Sequence, residues 1–193
     1  MLQKMKIFLV VLIVSAPIWA QSQITYQIKS HEITIDGTSN LQSWSADIEN
    51  ASGTIEVMLE DGKITEVKNV NIRVDATSIK GSEGRLMNSK IYETLDTGRH
   101  PSINFVLREV LTLAENPGTA RMRTRGVLTV AGVSRVIELQ TVGRVLPNGD
   151  LEFSGTQNIK MSDHRMKPPT AMFGALRTGD EVEVSYRVVV SPI

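Results

Sequence analysis

Apolar and polar residues alternate one by one along most of this chain, and the clearest run is residues 121–130. Met122, Thr124, Gly126, Leu128 and Val130 fall on one side of it, and Arg121, Arg123, Arg125 and Thr129 on the other. Successive side chains of a strand point to opposite faces, so the spacing predicts a long strand with one apolar and one wet face. Ala131-Gly132 predicts a tight turn, with residues 133–139 running back as the partner strand.

The same period recurs elsewhere. Residues 26–28 and 32–35 alternate near the start. Ile55, Val57 and Leu59 share a face before an Asp61-Gly62 hairpin turn, and Ile64, Val70, Ile72 and Val74 follow with an irregularity between them. Ile103, Phe105 and Leu107 alternate next, and Asn116-Pro117-Gly118 predicts another turn. Beyond residues 147–150, a further turn, Leu151, Phe153, Gly155, Gln157, Ile159 and Met161 share a face. Val182, Val184, Tyr186, Val188 and Val190 close the chain pointing inward. One segment departs from the period: Leu86, Ile91 and Leu95 within residues 82–95 stand at near-helical spacing, which predicts a short helix across one end of the sheet.

These elements predict an all-β domain of about eight antiparallel strands that removes its edges by closing into a β-barrel, with one short helix; a flattened sandwich is the alternative. Small or slim inward residues (Thr124, Gly126, Gly155, Gln157) favour a barrel with a cavity, since eight closed strands leave room for one small ligand. A glycine can equally mark a bulge.

The first 20 residues change the picture of where the protein works. Lys4 and Lys6 precede an apolar run at residues 7–14, and the run ends in a small-residue region closing on Ala20. That order predicts a secretory signal peptide cut after Ala20, and the run is short for a membrane span. Residues 21–193 are then one exported domain, periplasmic or secreted, with no membrane span in the mature chain. Without Lys4 and Lys6, 19 basic residues face 21 acidic ones, a balance that argues against a nucleic-acid partner. The chain has no cysteine, so neither disulfides nor thiolate metal sites contribute.

Several segments carry a family resemblance. Residues 37–44 (GTSNLQSW), residues 85–87 leading through Ile91-Tyr92 to residues 100–105 (HPSINF), residues 126–133 (GVLTVAGV) and residues 178–182 (TGDEV) occur in the order and spacing of the YceI-like family. The hairpin segment is the most specific of them. Gln42 stands where relatives often carry a histidine, and residues 166–174 resemble a branch-specific loop. The resemblance implies a lipocalin-like barrel whose lengthwise tunnel binds a long isoprenoid or other fatty or amide chain.

The expected ligand-binding residues are Val57, Ile72, Leu86, Tyr92, Phe105, Leu128, Phe153, Met161, Met172, Phe173 and Tyr186. Pockets for apolar ligands are lined in this way, though the same residues could simply pack a closed core. The apolar loop after Pro168-Pro169 is expected to lid one mouth, with Leu86 and Tyr92 nearby. Arg85, Arg99, Arg165 and Arg177 flank the mouth segments, as plain surface charge or as partners for a head group.

Catalysis has little to build on. His31, His100 and His164 are isolated in sequence, adjacent Asp163 and His164 fit poorly as a base and its orienter, and no G-x-S-x-G elbow occurs. No catalytic residue, resident metal or cofactor is expected beyond a bound lipid-like ligand. The expected function is lipid or polyisoprenoid binding for sequestration, transport or storage, by a monomer or homodimer. The alternatives are an envelope stress or interaction protein using the barrel as scaffold and, third, a barrel enzyme acting on a lipid-like substrate.

Overall fold

The computed structural model describes residues 23–116 and 118–193, the side chains of Ala171 and Met172 excepted. The expected signal peptide and Pro117 lie outside the described residues. Among the described residues, eleven strands and one α-helix follow in chain order: β1 (Gln23–Ser39), β2 (Ser43–Ile48), β3 (Ala51–Glu60), β4 (Lys63–Asp75), β5 (Ile79–Gly81), α1 (Arg85–Leu95), β6 (Ser102–Asn116), β7 (Thr119–Val130), β8 (Val133–Val145), β9 (Leu151–Lys160), β10 (Thr170–Ala171) and β11 (Leu176–Pro192).

Eight of these strands close a ring in the order β1-β3-β4-β6-β7-β8-β9-β11, every pairing antiparallel, and β11 returns to β1 from Tyr26↔Pro192 to Ser39↔Thr178. The expected antiparallel barrel is therefore the fold. Closure pairs each of these eight strands on both sides over at least part of its length, which blunts the aggregation hazard of long apolar strands. β2 and β5 escaped the reading of alternation because they are short. β2 continues the edge of β1 beyond β3, pairing Thr34–Thr38 with Asp47–Ser43, and β5 pairs with β2 in turn.

The hairpin at Ala131-Gly132 forms as predicted, with both residues at positive φ (47° and 74°), the geometry that matches strand twist. The irregularity in β4 is a bulge at Asn69, φ 47°, where the pairing with β3 slips between Thr54 and Glu56. Two further slips divide β6 from β7. Bulges bend the bulged strand and raise its twist, and these help long strands curl into a barrel.

The two ends of the barrel differ. Hairpins β3–β4, β6–β7 and β8–β9 gather at one end, where Tyr26, Val57, Ile64, Ala120 and Leu151 are buried in a continuous cluster with Ile55, Val67, Met122, Phe153 and Val190. Below them Asp150 accepts hydrogen bonds from Lys29 Nζ (2.8 Å), Ser191 Oγ (2.6 Å) and Asn148 Nδ2 (2.8 Å), tying β1 and β11 to the start of β9. These donors, Lys29 foremost, hold the Asp150 carboxyl below its ordinary range. A carboxyl lowered by folding stabilises the fold above its unfolded pKa, and that contribution disappears as pH falls through the folded value. Asp150→Asn is therefore expected to lower the thermal midpoint at neutral pH and to flatten its decline below about pH 4, measurable by circular-dichroism melts across that range.

At the other end lie α1, the β1–β2 turn and the connection from β9 to β11. Met87, Ile91 and Leu95 of α1 pack against Ile33, Ala46, Ile48, Val74 and Ile79. The helix begins after Gly84 (φ 80°) and ends at Asp96 in the left-handed conformation.

Candidate functional site

Between the packed end and the helix the barrel encloses a cavity of about 600 Å³, within the usual range for small-molecule sites. Ile55, Val67, Met122, Phe153 and Val190, the upper layer of the packed cluster, form its floor. Ile72, Phe105, Leu128, Ile137, Leu139, Val184 and Val188 form its walls, and Trp44, Met87, Ile91, Pro169 and Leu176 frame the mouth. At about 3.3 Å per residue and a strand tilt of about 40°, the path from Phe153 to Ile159 on β9 spans roughly 15 Å of depth. The expected lengthwise tunnel is thus a blind pouch, because Tyr26, Val57 and Leu151 fill the far end at 2%, 0% and 0% exposure.

Three aromatic side chains of the wall lie across glycines of the neighbouring strand: Phe105 over Gly126, Tyr186 over Gly155 and Trp44 over Gly37. A Cβ at any of these glycines would collide with the ring. The slim inward positions therefore do not open space for a ligand directly; they let large rings lie flat along the wall. Thr124, also slim, does face the cavity.

Polar groups on the wall are few. Tyr186 Oη and Thr141 Oγ1 lie 2.7 Å apart. Burial pushes the Tyr186 phenol up from its ordinary pKa, with the Thr141 hydrogen bond opposing. Gln157 donates its amide to the Asn158 carbonyl at 2.9 Å. Among the described residues, charged groups enter the wall only at the mouth, through Glu83, bonded to the Gln42 amide, and Lys90, paired with Glu93.

Of the residues expected to bind ligand, Ile72, Leu86, Phe105, Leu128, Phe153, Met161 and Tyr186 line this cavity, Leu86 from an exposed place on the rim. Three do not. Val57 shares its strand face with Ile55 but sits deeper, inside the packed end. The Tyr92 hydroxyl turns away from the cavity to donate to the Thr77 carbonyl (2.8 Å) and accept from Lys80 Nζ (2.8 Å). Phe173, at φ 54°, turns its ring out to solvent. The Met172 side chain lies outside the described residues. The apolar loop reaches the mouth through Met166, Pro169 and Thr170, without Tyr92 or Phe173.

None of Arg85, Arg99, Arg165 and Arg177 lines the cavity; Arg99 pairs with Asp96, and Arg177 donates to the Gly174 carbonyl. His164 is buried with its Nδ1 2.9 Å from the Val133 carbonyl oxygen, so its ring braces the tip of the β7–β8 hairpin. Trp44 and Thr141 were both missed in the alternation, and the strand register is what places them. Gly37 pairs directly with Trp44, and Thr141 is a lone hydroxyl opposite Met122 and Gly155.

Solved structures share this architecture. A polyisoprenoid binding domain from Saccharophagus degradans superposes with a TM-score of 0.67 at 11% identity, covering 89% of this chain and all of the other. BcnA of Burkholderia cenocepacia gives 0.63 at 16% identity, covering 83% and 96%. The Campylobacter jejuni YceI protein gives 0.57 at 19% identity, covering 77% and 84%. No curated protein sequence matches the chain. The YceI-like domain, however, matches residues 19–190, nearly all of the barrel, and the chain belongs to that family.

Proposed function

We propose that this protein binds a polyisoprenoid or other long lipid chain in the barrel cavity, as a non-enzymatic carrier, store or sequestering protein exported to the periplasm or beyond. The observation that carries this reading is the cavity itself: blind, apolar along its depth, with charges confined to the mouth. A structural neighbour described as polyisoprenoid binding supports the ligand class, and the basic-apolar-small order of the first 20 residues supports export.

Energetics favour chains over compact ligands. Each buried methylene contributes about 0.8 kcal/mol, against an association cost of about 4–15 kcal/mol. Affinity is therefore expected to rise with chain length and to level off once the chain fills the depth of the pouch. Extraction and mass spectrometry of the purified protein are expected to yield an apolar molecule in near-stoichiometric amount. Phe105→Trp is expected to shift its emission to the blue as alkyl chains of increasing length are added. Reproducibly empty protein, with Phe105→Trp emission unchanged by any chain, would sink the reading.

A further inference from the structure

Tyr186 lies halfway along the inward face of β11, between Val182 and the floor residue Val190. From there it crosses β9 over Gly155, its direct pairing partner, to reach Thr141 on β8. The two hydroxyls bring two protons, and their mutual hydrogen bond uses one. Neither makes another hydrogen bond among the described residues. One O–H and the spare lone pairs remain on a wall that is mostly apolar here, where the neighbouring Gln157 already donates its amide to the Asn158 carbonyl. Thr124 adds a hydroxyl one step away on the inner face, since Met122 pairs with Thr141 and Thr124 with the next inward residue, Leu139.

We propose that Tyr186 and Thr141 form a recognition site for one uncharged oxygen acceptor, a carbonyl or ether, carried on the bound chain about halfway down the cavity. The inference rests on the lipid-binding reading and specifies its ligand class. Among the described residues, no ionisable side chain other than the phenol lines the cavity at that depth; Glu83 and Lys90 stand at the mouth. A charged group there would lose its hydration without a counter-charge, whereas a carbonyl or ether oxygen needs only the donor the pair supplies. A hydrocarbon would leave that donor unanswered.

Three chains of equal length separate the possibilities: an n-alkane, a ketone with its carbonyl in mid-chain, and the corresponding dialkyl ether. Each is measured by displacement of an apolar fluorescent dye from the purified protein. The wild type is expected to prefer the ketone or the ether over the alkane by about threefold to tenfold. The double variant Tyr186→Phe with Thr141→Val removes both hydroxyls together and leaves no half-pair. It is expected to abolish or reverse the preference, read as the ketone-to-alkane ratio within the variant, a readout that a purely structural clamp between β8 and β11 would not move. Equal affinity for all three chains in the wild type, or a preference that survives in the double variant, overturns the proposal while leaving lipid binding intact. Failure of every chain to displace the dye overturns lipid binding and this inference with it. Loss of the double variant's fold is met by Tyr186→Phe alone, for which a preference equal to the wild type's overturns the proposal.

Discussion

Gly155→Val is expected to destabilise the barrel by about 1–3 kcal/mol, although valine is the better strand former. Strand propensity alone predicts the opposite sign, a gain of up to about 1 kcal/mol over glycine. The contacts decide against it. A Cβ at Gly155 would sit 2.5 Å from the Gln140 carbonyl oxygen and 2.5 Å from Tyr186 Oη. The carbonyl belongs to the backbone of β8 and cannot swing aside, so the strands must separate. The phenol must also leave its place, breaking the hydrogen bond with Thr141. In a domain of this size the loss corresponds to a fall of about 2–4 °C in the thermal midpoint per kcal/mol. Urea denaturation of the variant beside the wild type checks the sign directly, and a stabilised variant would refute the packing described for Tyr186.

The second expectation is a contrast between two leucines. Leu151→Ala, in the packed end at 0% exposure, is expected to cost about 3–5 kcal/mol, because close-packed neighbours cannot collapse into the space left. Leu128→Ala is expected to cost about half as much. Leu128 already faces the cavity, so its side chain has fewer partners to lose. Binding should show the reverse order. Leu151→Ala leaves the wall intact, whereas Leu128→Ala removes a contact from it and should weaken apolar chains. Paired denaturation curves and dye-displacement titrations would test both halves. Equal stability losses would mean that the cavity wall is packed as tightly as the floor.

The alternation of residues made much of this legible. Phe105, Leu128, Phe153 and Tyr186 were placed on the inner face because a strand offers a side chain only two directions. Alternation says nothing, however, about depth along the barrel. Ile55 and Val57 are indistinguishable by face, yet the step between them leads from the cavity floor into the packed end. In α1 one residue is a turn of about 100°, enough to send Ile91 toward the barrel and Tyr92 toward Lys80. Phe173 was misplaced for a backbone reason: a left-handed φ reversed the direction its composition suggested. Thr141 went unnoticed because a hydroxyl in a strand reads as solvent-facing until its partner, 45 positions away in sequence, is known.

A pouch closed at one end imposes an order of traffic. A chain threaded into it advances until its leading tip meets Phe153 and Met122, and it can depart only by retracing the whole path. The tip that enters first is the last to leave, so residence time should grow with the length threaded, even where affinity has levelled off. The packed end also stands apart from this route. Substitutions among Tyr26, Val57 and Leu151 can change how firmly the protein holds its shape without altering the mouth or the walls of the cavity.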